Sequence, residues 1–83
     1  MIVKIQTYPK LVDEESGEVG HYERMVECDT VYRQQFKNKL KLMFYQNGYG
    51  QGTMIDSLDA TEKTRVFFME GGQTIDRIDF MCN

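Results

Sequence analysis

Tryptophan is absent from this 83-residue chain, and proline, histidine and cysteine are scarce at one, one and two residues. Each shortage excludes a class of chemistry. The cysteines, Cys28 and Cys82, are far apart and form no CxxC pair, which leaves neither a disulfide framework nor a zinc site. Both read as reduced thiols, at least partly buried. With one histidine, a Ser/His/Asp arrangement would have to join His21 to Ser16 or Ser57, and neither serine lies in a nucleophile turn. A His21–Cys28 base and nucleophile pair fails on parity, because an odd separation on one strand points the two side chains to opposite faces.

Long apolar runs are also missing. MIVKIQTYPK is interrupted at Lys4, too early for a signal peptide, and no segment approaches the roughly 20 apolar residues that cross a bilayer. Cytoplasmic residence is the default expectation. What is present, 41% apolar residues and a formal charge of −3, is ordinary for a globular chain. It bounds the protein to a single domain over 1–83, which buries about 60–65% of the surface that its unfolded chain exposes.

Along the chain, Ile2–Tyr8 alternates and stops before Pro9, which predicts a strand. Asp13, Glu14, Glu15 and Glu18 surround Ser16-Gly17, the composition of a solvated hairpin tip. A second strand follows over His21–Cys28, antiparallel to the first, with Tyr22, Val26 and Cys28 on one face.

Thr30 to Gly52 contains no acid. Tyr32, Phe36, Leu40, Met43 and Phe44 recur at spacings that predict an amphipathic helix, capped by Asp29 or Thr30 and stopped at Asn47-Gly48. Its glycines come after the helix, the wrong end for a phosphate cradle. Thr53–Leu58 reads either as a short strand with a turn near Asp59–Lys63, the reading preferred, or as the entry to a helical turn capped by Asp56 or Ser57. Thr64–Met69 and Thr74–Met81 flank Gly71-Gly72, a hairpin signal. A three-residue loop, Gly71 to Gln73, sets Val66 opposite Ile78, Thr64 opposite Phe80 and Arg65 opposite Asp79, so that one face is apolar. The expected fold is α+β: an antiparallel sheet of about five strands, in the order β-β-α-β-β-β, with one helix across it and no internal repeat.

No metal or cofactor motif emerges. Asp56, Asp59 and Glu62 lack the close oxygen spacing of a calcium loop, and Asp76 and Asp79 fall on opposite faces of a strand. Two binding surfaces remain. The back of the final hairpin carries Phe67, Met69 and Ile75 beside Arg65 and Arg77, which points to a non-enzymatic protein-interaction module. Such a module could be a small inhibitor or adaptor that blocks a basic, nucleic-acid-processing partner, or it could self-associate as a homodimer. The alternative is nucleic-acid or nucleotide binding through Arg33, Lys37, Lys41, Tyr45 and Tyr49, against which the acidic total weighs.

Overall fold

Between Thr30 and Gln46 two periodicities compete, and the period of two wins. In the computed structural model, which describes residues 1–8, 22–47 and 52–80, this segment is a pair of strands. Leu40, Leu42 and Phe44 are fully buried, while Lys41, Met43 and Tyr45 face outward, an alternation that no helix supplies. Phe36 and Lys39 close a tight turn, the Phe36 amide donating to the Lys39 carbonyl at 2.8 Å. The expected α+β class with one helix is therefore corrected to all-β, with no helix among the described residues. The stripe of Tyr32, Phe36, Leu40, Met43 and Phe44 fitted a helix only because it skipped Leu42, and β-branched and aromatic residues in TVY and MFY favour the pleated surface.

Among the described residues, seven strands form two antiparallel sheets. They are β1 (Ile2–Tyr8), β2 (Tyr22–Glu27), β3 (Thr30–Gln35), β4 (Leu40–Gln46), β5 (Thr53–Ala60), β6 (Lys63–Glu70) and β7 (Gln73–Phe80). The first sheet has the order β2-β1-β6-β7 and the second β3-β4-β5. Their inner faces share one core, built from Val3, Ile5, Val66 and Phe68 on one side and Leu40, Leu42 and Phe44 on the other. Buried Thr64 satisfies its hydroxyl by donating to the Glu62 carbonyl at 2.8 Å.

The expected register of the last hairpin holds: Val66 faces Ile78, Thr64 faces Phe80 and Arg65 faces Asp79. The device that sets it differs. Gly71 and Gly72, at φ 57° and 81°, form a two-residue turn, and a bulge between Phe68 and Met69 leaves Ile75 without a partner. Asp29, expected to cap a helix, instead ties down a strand end, because β3 and not a helix follows it. Its carboxylate accepts from the Asn47 amide at 2.7 Å, and Asn47 is left-handed at φ 70°.

The two sheets are variations on one unit, which corrects the expectation of no repeat. Superposing pairing registers aligns β1 with β3, β6 with β4 and β7 with β5, and every cross-strand partner then corresponds. Even the bulges coincide, at Phe44/Tyr45 and Phe68/Met69, each leaving an isoleucine unpaired before an aspartate: Ile55-Asp56 and Ile75-Asp76. Seven aligned pairs are identical: Val3 and Val31, Gln6 and Gln34, Lys63 and Lys39, Phe68 and Phe44, Ile75 and Ile55, Asp76 and Asp56, Asp79 and Asp59. Among the described residues strand β2 has no counterpart, and it widens the first sheet.

Candidate functional site

Sheet edges are the first surfaces to consider, since unpaired backbone groups there invite another strand. Among the described residues, each of the four edge strands carries one charged residue directed into the gap between the sheets: Arg24 on β2, Asp56 on β5, Arg33 on β3 and Asp76 on β7. They pair across it, Arg24 with Asp56 at one side and Arg33 with Asp76 at 2.9 Å at the other. The two aspartates occupy equivalent positions of the repeat. The arginines do not: β1 has Ile5 where β3 has Arg33, and β2 supplies Arg24 as the neighbour of Ile5. Inward charges and bulges blunt all these edges against strand addition.

At the β3/β7 side, Arg33 also lies over the Phe68 ring, 5.3 Å from its centroid. The Arg77 amide, donating to Asp76 at 2.8 Å, and the Arg33 guanidinium beside it hold the Asp76 carboxyl below its ordinary range. A cleft of about 450 Å³ opens here, lined by Arg33, Gln35, Leu40, Asp76, Arg77, Ile78 and Asp79. Both signs of charge in it are mutually paired, so it presents no net charge to a ligand.

The outer face of the four-stranded sheet has no other strand packed on it among the described residues. Its cross-strand rows read Glu27–Ile2–Met69, then Met25–Lys4–Phe67–Arg77, then Glu23–Gln6–Arg65–Asp79. Four of the five residues assigned from sequence to a partner surface, Phe67, Met69, Arg65 and Arg77, thus share this face. Ile75 does not join them. The bulge turns it to a separate cleft with Met1, Val31, Arg33, Phe68 and Asp76, where it is 61% exposed. Tertiary pairing adds Ile2, Met25 and Lys4, which sequence reasoning missed because they come from β1 and β2. Lys4 Nζ lies 5.1 Å from the Phe67 centroid.

The other assigned set is divided. Arg33 points to the inter-sheet gap, Lys37 sits in the β3–β4 turn, and Lys41 lies on the outer face of the second sheet opposite Asp59. Tyr45 shares that face, its hydroxyl 3.8 Å from the Met43 sulfur; Tyr49 lies outside the described residues.

Among the described residues, catalytic groups do not converge. Cys28 is enclosed in the core, where burial pushes its thiol up, and the thiolate needed for nucleophilic chemistry is disfavoured. His21, Ser16 and Cys82 fall outside the described residues, and Ser57 is exposed on β5. Asp56 and Asp59 point to opposite faces of β5, toward Arg24 and Lys39 respectively. Among the described residues no three His, Cys, Asp or Glu side chains gather as metal ligands, and no helix is long and apolar enough to cross a membrane. Comparison with protein-family models, with curated proteins and with solved structures finds no match for this chain.

Proposed function

We propose that the domain is a non-enzymatic protein-interaction module that binds through the outer face of its four-stranded sheet. One observation carries the reading. Met25 and Ile2 are 61% and 43% exposed beside half-buried Phe67 and Met69, with Lys4, Arg65 and Arg77 around them. Large apolar side chains grouped on one open face and rimmed by arginine have the anatomy of an interface core. The blunted edges favour a face-to-face contact over strand addition. A second copy of the chain is the simplest partner. The carboxylates at positions 13, 14, 15 and 18 suit a basic protein as an additional contact.

The test is affinity capture from the source cell together with light scattering at micromolar concentration. Met25→Asp and Phe67→Asp should abolish the captured partner or the dimer while leaving the fold intact by circular dichroism. A strict monomer that retains no partner, or retention unaffected by both substitutions, would refute the proposal. Nucleic-acid binding through Arg33, Lys37, Lys41, Tyr45 and Tyr49 has less support, because Arg33 is committed to Asp76, Lys37 sits in the β3–β4 turn, and among the described residues only Lys41 and Tyr45 share a face.

A further inference from the structure

The repeat preserves more than core residues. At one end of the sandwich, each outer face carries an aromatic ring, a glutamine and two cations at equivalent register positions. On the four-stranded sheet these are Tyr8, Gln6, Lys63 and Arg65; on the three-stranded sheet they are Phe36, Gln34, Lys39 and Lys41. Both sets lie at the same end, since Thr61 and Glu62 are the whole crossover from Ala60 on one sheet to Lys63 on the other. None of the eight belongs to the core, so packing between the sheets does not dictate them.

The first set is linked by hydrogen bonds. The Tyr8 hydroxyl donates to Gln6 Oε1 at 3.0 Å, and Gln6 Nε2 donates to Glu23 at 3.3 Å, which fixes the ring on the sheet. Lys63 Nζ and Arg65 Cζ lie 5.7 and 5.8 Å from the Tyr8 centroid. Lys63 has no carboxylate within 4.0 Å among the described residues. Arg65 reaches Asp79 only at 3.7 Å, and Asp79 is shared with Arg77 at 3.0 Å. In the second set Phe36 is 44% exposed, and Lys39 stands 3.7 Å from Asp59.

We propose that these constellations are twin binding sites for single-stranded nucleic acid. A base stacks on Tyr8 or Phe36, and the adjoining phosphates meet Lys63 and Arg65, or Lys39 and Lys41. Every base offers a π-face, and a ring between cations serves base and backbone together, as on other sheet platforms that hold unpaired strands. A duplex hides its bases from such a surface. An acidic peptide would use the charges and leave the rings idle. The cations over Tyr8 do not exclude a base, because base stacking is worth more than an exposed cation–π contact. Nor does the acidic total: the described residues carry nine cations and nine carboxylates, and the formal −3 resides wholly in 9–21. The proposal goes beyond the protein-binding reading and does not rest on it.

The experiment is fluorescence anisotropy of labelled oligothymidylate, about 15 nucleotides long, titrated with the intact protein at low salt. With three or four phosphate contacts at about 0.7 each, the log–log salt slope should be about −2 to −3, a loss of roughly 100- to 1,000-fold per decade of salt. Tyr8→Leu and Phe36→Leu should each weaken binding by about 5- to 100-fold. Lys63→Gln, which removes the charge and keeps a polar side chain, should reduce the slope by about 0.7. Poly-glutamate should not displace the oligonucleotide, and a duplex should compete poorly. The proposal is overturned by no binding at about 20 mM salt, by a folded Tyr8→Leu/Phe36→Leu double variant that binds as wild type, or by poly-glutamate competing as well as oligothymidylate.

Discussion

Replacing Leu42 by alanine separates a strand at residues 40–46 from a helix more sharply than any other single change. On the helical stripe of Tyr32, Phe36, Leu40, Met43 and Phe44, Leu42 is peripheral and Met43 is central. On β4 the roles exchange: Leu42 has 0% exposure and faces the other sheet, whereas Met43 is half-buried on the outer face. Truncating an enclosed leucine removes its transfer free energy and leaves a cavity, about 3 kcal/mol within the usual 2–5. A domain of this length has about 4–12 kcal/mol in total, from the per-residue average, so the loss is large. In urea, with a slope of about 1 kcal/mol/M for a small domain, the midpoint should fall by roughly 2–3 M at unchanged slope. Met43→Ala and Phe36→Ala, at partly exposed positions, should each cost below about 1 kcal/mol. Unfolding followed by far-ultraviolet circular dichroism reads all three. A Leu42→Ala midpoint near wild type beside a strongly shifted Met43→Ala would refute the strand assignment and the core built on it.

Other consequences are open to measurement. A Cβ at Gly72 would meet nothing within 4 Å, so Gly72→Ala is penalised by its φ of 81° alone, and about 1 kcal/mol should lower the thermal midpoint by about 4–8 °C. Gly71→Asn, which tolerates that backbone region, should be nearly neutral in the same melt. Asp76 has a lowered carboxyl pKa when folded, through the Arg77 amide and then Arg33. Its contribution is therefore complete above the unfolded value near 3.9 and disappears as pH falls through the lower folded value. Asp76→Asn should be less stable than wild type at pH 5–7, the two should converge in acid, and added salt should narrow the gap. A gap that persisted at pH 2 would count against this cause. Cys28 should react with a thiol reagent at the rate of global unfolding, followed in a Cys82→Ser background, because its raised pKa and burial leave little thiolate; rapid labelling under native conditions would contradict its place in the core.

Local alternation was enough to specify part of this protein. Ile2–Tyr8, the strand ending at Glu27 and the final hairpin all follow from a period of two bounded by turn residues, whereas the strand starting at Thr53 was open between a strand and a helical turn. The pairing of Val66 with Ile78 followed because any other register would have mixed charge into the core. The shared face of Phe67, Met69, Arg65 and Arg77 was legible for the same reason. Residues 30–46 were not, since their apolar positions satisfy 3.6 and 2.0 at once, and only burial against a second sheet selects between them. Ile75 was misplaced because a bulge, which a plain alternation does not encode, changes which face of the sheet a side chain meets. The repeat was concealed for a topological reason: one unit is contiguous over 30–60, while its counterpart is split between β1 and β6–β7 and has a shorter β-hairpin loop. Tertiary structure alone decided that Tyr8 should meet Lys63 and that Arg24 and Arg33 should close opposite sides of one core. Long-range pairing brings together residues whose separation along the chain carries no local signal.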